Sequence, residues 1–313
     1  MSRHPRGPVR LPDLGKRFVS IGMLALLLAV AAWSCGGNDD DSIDDSIDEQ
    51  PARLRDGEDP STVERPVGAA DDWWRPPVDV SWQWQLSGAI DTSYDVDVYD
   101  IDLFDAPESL IAALRADGRR VVCYFSAGSS ENWREDFGQF AADVQGEALD
   151  GWEGERWLDI RADSVIDIMI RRLDLAARKG CDGVEPDNLQ AYASDTGFDL
   201  TIDDQLAYNA ALAFGAHDRG LAVGLKNAAE LIPDLIGEFD FSVNEECHDF
   251  DECDPYRAFV AVGKPVLNAE YAERYANDPA VRDALCKVSA GEGFQTLVLP
   301  LDLDNTFRHS CNT

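Results

Sequence analysis

Between Trp82 and Leu299 the chain alternates short apolar runs of strand length with longer stretches of helical periodicity. That alternation restricts it to folds in which helices cover a largely parallel sheet. Gly180–Asn188 shows the unit most clearly. An amphipathic stretch, 162–179, stops at Gly180; the run Cys181–Pro186 follows, and Asp187 and Asn188 tip it. A strand turns alternate side chains to opposite faces, so Glu185 and Asp187 share one face while Val184 and Pro186 share the other.

The pattern recurs along the chain. Trp82–Leu86, Val96–Asp102 and Arg120–Phe125 read as the first three strands, with a helix from Pro107 to Asp117 before the third. A long loop carrying Trp133 and Arg134 precedes the helix that leads to Gly180. Thr201–Arg219 reads as a helix with Asp203 and Asp204 in its first turn and Gly220 as its stop. Leu221–Leu225 is the fifth strand, Phe239–Val243 the sixth, Pro265–Leu267 the start of the seventh and Phe294–Leu299 the eighth. Eight such strands predict an α/β fold of the (β/α)8 TIM-barrel type. An open doubly wound sheet is the alternative; it normally carries a glycine-rich phosphate loop after strand one, and Ser87-Gly88-Ala89 is not one.

Residues 1–35 fall outside that pattern. Arg3, Arg6, Arg10, Lys16 and Arg17 precede an apolar run, Val19–Ala32, that is short for a membrane span and fits the core of an export signal peptide. Cys35 follows small residues as in a bacterial lipoprotein signal. It is a candidate lipidation site, and a lipid there is the only membrane tie expected; simple secretion is the alternative. Residues 36–70 read as a disordered acidic linker, because Asp39–Glu49 repels itself and has little to bury. It lacks the turn glycine of a calcium loop. The folded domain is then 71–313, and the mature protein is expected outside the cell or in its envelope.

The formal net charge of −33 disfavours nucleic acid and anionic membrane surfaces as partners. It suits an exported, soluble protein or a cationic ligand. Seven cysteines also fit export. With Cys35 assigned to the signal, Cys247 with Cys253 and Cys286 with Cys311 are candidate disulfides. Cys123 and Cys181 form a third pair or remain thiols, since sequence leaves connectivity open. Zinc on Cys247, His248 and Cys253 would need a usual spacing and a second ligand pair, and both are missing. No metal or other cofactor is expected, and a monomer suffices.

Polar residues gather at the strand tips, where barrel enzymes place their chemistry. They are Trp84 and Gln85; Asp100 and Asp102; Tyr124 and Ser126; Glu185, Asp187 and Asn188; Lys226 and Asn227; Asn244, Glu245 and Glu246; Glu270 and Tyr271. Any one of these carboxylates could simply cap a helix. The set reads as a site for sugar. Aromatic faces stack on sugar rings, and amides and carboxylates grip hydroxyls. Glycosidic cleavage needs two carboxyl groups, one to protonate the leaving oxygen and one to attack or to activate water. His217, His248 and His309 follow no strand as a general base would, so no Ser-His-Asp arrangement is expected.

Cys181–Asn188, Gly224–Asn227, Val243–Cys247 and Gly263–Val266, preceded by Tyr124–Ser129 and Trp133-Arg134, resemble in order the motifs of the endo-α-1,4-polygalactosaminidase family, glycoside hydrolase family 114. The resemblance runs from Trp73 to the C-terminus. It implies a (β/α)8 barrel that cleaves α-1,4-linked galactosamine polymers, with a catalytic Asp after strand four and Glu after strand six. These match Asp187 and Glu245, by analogy the nucleophile and the acid/base of a retaining mechanism. Strand parity leaves Glu246 open: it would face the cleft if Phe241 and Val243 packed outward on helices. Trp84, Tyr124, Asn188, Asn227 and Tyr271 are expected substrate contacts. Asp100, Asp102, Glu185, Glu246 and Glu270 would form an acidic trough for the ammonium groups of a cationic polymer. Lys226 is expected to pair with a carboxylate and orient it. Glu185 is either a substrate ligand or a like charge that raises the pKa of Asp187. Two alternatives stand beside this reading: a barrel glycosidase of another α-glycoside specificity, and a surface lipoprotein that binds polysaccharide without cutting it.

Overall fold

The computed structural model describes residues 73–312. The expected signal peptide, Cys35 and the acidic linker lie outside the described residues. Eight strands pair side by side in chain order, all parallel: β1 Trp82–Gln85, β2 Val98–Asp102, β3 Arg120–Ser126, β4 Gly183–Asp187, β5 Ala222–Lys226, β6 Phe241–Glu245, β7 Val266–Glu270 and β8 Gln295–Val298. A two-residue strand, His309–Ser310, adds antiparallel to β8. The crossovers hold α1 Glu108–Ala116, α2 Asp163–Lys179, α3 Ile202–His217, α4 Ile232–Leu235, α5 Arg257–Ala261, α6 Glu273–Asn277 and α7 Pro279–Glu292. The result is a curled, TIM-barrel-like α/β fold. No helix among the described residues is long and apolar enough to cross a membrane.

Alternation along the strands produces two apolar layers. Trp82, Trp84, Val98, Val122, Ala222, Phe241, Val243, Leu267, Ala269 and Leu297 form an inner cluster. The intervening residues, among them Tyr99, Ile101, Val121, Phe125, Val184 and Val223, pack outward on Ile111, Leu114, Met169, Leu173 and Leu212 of the helices. Full burial of each such side chain stabilises the fold by roughly 1.5–3 kcal/mol. Phe241 and Val243 therefore point inward, not onto the helices, and Glu245 follows them by parity.

Side chains bind β1 to β8. The Trp82 indole N–H donates to the Gln295 carbonyl at 2.8 Å, and Arg308 donates to the Trp82 carbonyl at 2.8 Å. Local signals set the element ends. Thr201 and Asp204 form a reciprocal capping box on α3, and Gly180 ends α2 in the left-handed conformation at φ 84°. Three disulfides join Cys123 to Cys181, Cys247 to Cys253 and Cys286 to Cys311. The first ties β3 to the residues that lead into β4.

The long loop expected after β3 contains a small antiparallel sheet, made of Ser129–Glu131, Gln145–Ala148 and Glu155–Leu158. Its strands are short and polar, so they leave no hydrophobic alternation to read. Buried ion pairs hold the excursion. Arg134 grips Asp102 through both guanidinium ends at 3.0 and 2.6 Å and also contacts Glu131; Arg172 of α2 holds Asp136.

The excursion leaves β3 through Gly128, where a Cβ would stand 2.1 Å from the Asn188 carbonyl oxygen. Backbone cannot yield as a flexible side chain can. We expect Gly128→Ala to cost about 1–3 kcal/mol of stability, as overpacking does. Gly138→Ala, which meets nothing within 4 Å, is the control. Thermal unfolding of the two variants checks the difference.

Candidate active site

Lys226, the last residue of β5, organises the C-terminal end of the sheet. Its ammonium lies 3.1 Å from Glu185 Oε1, 3.3 Å from Asp187 Oδ1 and 3.3 Å from Glu245 Oε2. An ammonium has three donors and no acceptor, so three carboxylates match its capacity. The Lys226 side chain is 2% exposed, and its nitrogen sits 4.8 Å from the centre of the Trp84 ring. Burial opposes its charge, but Asp187, Glu185 and Glu245 outweigh burial and hold its pKa well above the ordinary value.

Two of the three carboxylates reach solvent. Asp187 is 20% and Glu245 29% exposed, whereas Glu185 is fully buried. Further donors fix both open groups. The Tyr124 hydroxyl donates to Asp187 Oδ2 at 3.1 Å, and the Asn188 backbone N–H donates to Oδ1 at 2.7 Å. The Tyr271 hydroxyl donates to Glu245 Oε1 at 2.6 Å, and the Asn227 amide donates to Oε2 at 3.1 Å. Asn188 and Asn227 turn the chain away just past their strands with φ of 63° and 49°, a conformation asparagine tolerates better than most residues. Asn188 is itself tied back: its amide donates to Ser126 Oγ, which meets Ser129 Oγ, which donates to Glu155. Ser129 and Glu155 lie in the excursion; Ser129 closes the Tyr124–Ser129 motif, and nothing in the sequence pattern marked Glu155.

Several expected substrate contacts are engaged elsewhere. Asp102 spends both oxygens on Arg134. Glu270 faces outward on β7 with Asn268; it is fully buried and accepts from the His248 backbone N–H at 2.9 Å. Asp100 and Glu185 are fully buried, and Trp84 is 1% exposed inside the inner cluster. The open acidic trough expected from the sequence is therefore reduced, because these carboxyls sit inside the protein or in ion pairs. Glu246 follows the strand in the left-handed conformation at φ 58°, with its backbone N–H bonded to the Ala269 carbonyl. Burial and the neighbouring charge of Glu245 raise its pKa, against Arg274. Cys247, His248 and Cys253 bring ligand atoms within 4.8 Å of one another. The two cysteines are bonded to each other, so they offer no thiolate to a metal.

A TIM-barrel-like sheet whose C-terminal end presents two open carboxyls on one ammonium is an arrangement that a glycosidase can use. Residues 63–313 match the model of glycoside-hydrolase family GH114, and the chain belongs to that family. The crystal structure of Aspergillus fumigatus Ega3 in complex with galactosamine is similar to it, with a TM-score of 0.72 and 42% identity, covering 76% of this chain and 97% of that one. The glycoside hydrolase domain of PelA from Pseudomonas aeruginosa is similar in fold at 17% identity and a TM-score of 0.58, over 74% of this chain and 98% of that one. The trehalulose synthase MutB from Pseudomonas mesoacidophila MX-45 shares the fold at 12% identity and a TM-score of 0.53, over 71% of this chain and 64% of that one. No curated protein sequence matches the chain.

The Glu270 carboxyl is pushed up to about 7 by burial, which outweighs the donors from His248 and Asn268. The folded protein thus keeps a proton that the unfolded chain releases at lower pH. Stability from this group is complete below the ordinary glutamate pKa and is lost as pH rises toward about 7. Glu270→Gln removes the charge and keeps the acceptor. We expect it to be more stable than the wild type at pH 8 by roughly 1–3 kcal/mol and equal to it near pH 4, read by urea unfolding.

Proposed function

We propose that this glycosidase cleaves α-1,4-linked galactosamine polysaccharide internally, with Asp187 as nucleophile and Glu245 as acid/base of a retaining mechanism. The observation that carries the reading is the shared ammonium. Asp187 Oδ1 and Glu245 Oε2 each lie 3.3 Å from Lys226 Nζ, so they stand no more than twice that distance apart. An ammonium that directs its hydrogens tetrahedrally brings such oxygens to about 5 Å. Retaining enzymes space their carboxyls roughly 5–5.5 Å apart, and inverting ones roughly 6.5–9.5 Å to admit a water.

In the first step Glu245 protonates the glycosidic oxygen while Asp187 attacks the anomeric carbon, and the leaving chain departs. In the second, Glu245 takes a proton from water as that water displaces Asp187, which regenerates both groups. Tyr124 and the Asn188 N–H hold Asp187 in line for attack. Tyr271 and Asn227 hold Glu245 across from it. Galactosamine in the Ega3 complex supports an amino sugar as the unit recognised, and the net charge of −33 supports a cationic polymer. The three disulfides support an exported enzyme on a (β/α)8 scaffold, and Cys35 is where a lipid would anchor it.

The test is the release of reducing ends by the chain without residues 1–35. The substrates are an α-1,4-galactosamine polymer and its fully acetylated form. We expect cleavage of the cationic polymer, reduced about 10²–10⁴-fold in Asp187→Asn and in Glu245→Gln and largely kept in Glu246→Gln. Binding without cleavage by the wild type would overturn the reaction. Activity lost only in Glu246→Gln would overturn the choice of acid.

A further inference from the structure

Beneath the two open carboxyls lie two closed ones that the reaction above does not use. Val122 is aligned with Asp100 on β2 and with Gly183 on β4. Asp100, Glu185 and Asp187 thus ascend the inner wall in successive side-chain steps. Asp100 and Glu185 have no exposed surface. The Asp100 carboxyl lies close enough to that of Glu185 for each to act on the other, and among the described residues no amide, hydroxyl or guanidinium donates to either oxygen of Asp100. Glu185 in turn meets the Lys226 ammonium at 3.1 Å.

Two carboxyls can hydrogen-bond to each other only if one carries a proton. Charge demands the same. The groups that face this chamber are Asp100 of β2, Tyr124 of β3, Glu185 and Asp187 of β4, Lys226 of β5, Glu245 of β6 and Tyr271 after β7. Trp84 of β1 and Leu297 of β8 bring no charge. Only Asp100 and Glu185 are closed off from water, and one ammonium already shared with Asp187 and Glu245 cannot also balance two ionised carboxyls there.

We propose that Asp100 and Glu185 share one proton beneath Lys226 and act as positioning residues, setting the net charge that Lys226 presents to Asp187 and Glu245. The proton resides on Asp100, where it donates to an ionised Glu185. Burial and the charge of Glu185 both raise the Asp100 pKa well above the ordinary range, whereas burial raises Glu185 only to about 7 because Lys226 and Asp100 oppose it. The proposal rests on the catalytic reading of Asp187 and Glu245.

Glu185→Gln removes a negative charge next to Lys226, so the ammonium acts more strongly on both catalytic carboxyls and favours their ionised forms. We expect both limbs of the pH profile of kcat/KM to move down, by about one pH unit. Asp100→Asn keeps a donor to Glu185 and should leave the limbs in place. Asp100→Leu removes the donor, drives the proton onto Glu185 and should move the limbs as Glu185→Gln does. Limbs fixed in Glu185→Gln, or moved equally in Asp100→Asn, would overturn the proposal even if activity falls. The infrared band of a protonated buried carboxyl reads the proton without any reaction. It should be present near neutral pH in a Glu245→Gln, Glu270→Gln background, which removes the protonated acid and the other raised carboxyl, and vanish when Asp100→Asn is added. A band unchanged by Asp100→Asn overturns the proposal, whether or not the enzyme cuts polysaccharide.

Discussion

One ammonium holds the site together. Each carboxylate near Lys226 gains on the order of 4 kcal/mol of Coulomb attraction at an effective dielectric of about 20. Taking the ions out of water costs several kcal/mol apiece. The balance is favourable because three acceptors surround one buried cation and the aromatic ring of Trp84 lies 4.8 Å from it. The same contacts set the distance between Asp187 and Glu245. Under the proposed reaction, stability and the spacing of the two open carboxyls are one constraint. A group that served only one of them would leave the other free to drift.

The barrel-like sheet makes this possible through parity. Gly183, Glu185 and Asp187 share the inner face of β4, and Ala222, Gly224 and Lys226 that of β5. Large residues fill the lower part, with Trp82 and Phe241 among the largest buried side chains. Their bulk needs space, and Gly224 supplies it: a Cβ there would meet the Phe241 ring at 2.4 Å. Polar groups then occupy the upper layers, where the packed interior gives way to solvent. Outside the sheet, the excursion after β3 braces the rim through Arg134 and Arg172.

The eight strands were legible because each is an apolar run bounded by turn residues, and the boundaries agree with the structure to within about two residues. Asp187 was legible because it shares a strand face with Glu185. The choice between Glu245 and Glu246 was not, since it depended on the direction of Phe241 and Val243. Both are apolar and would suit either layer of a two-layered core. Asp100, Asp102 and Glu270 looked alike as acidic strand tips. Only long-range partners separate them: Glu185 for the first, Arg134 for the second, the backbone of His248 for the third. The small sheet after β3 escaped notice because short polar strands held by buried arginines leave no periodic trace.

The most direct test of the shared-ammonium account is the anomeric form of the first product. Proton NMR during the opening minutes of cleavage, before mutarotation equilibrates the ends, distinguishes the two outcomes. The account expects the new reducing ends to appear first as the α anomer, because carboxyls held on one ammonium stand too close for a water between them. Ends that appear first as the β anomer would mean inversion, and would contradict the claim that Lys226 sets the working distance between Asp187 and Glu245.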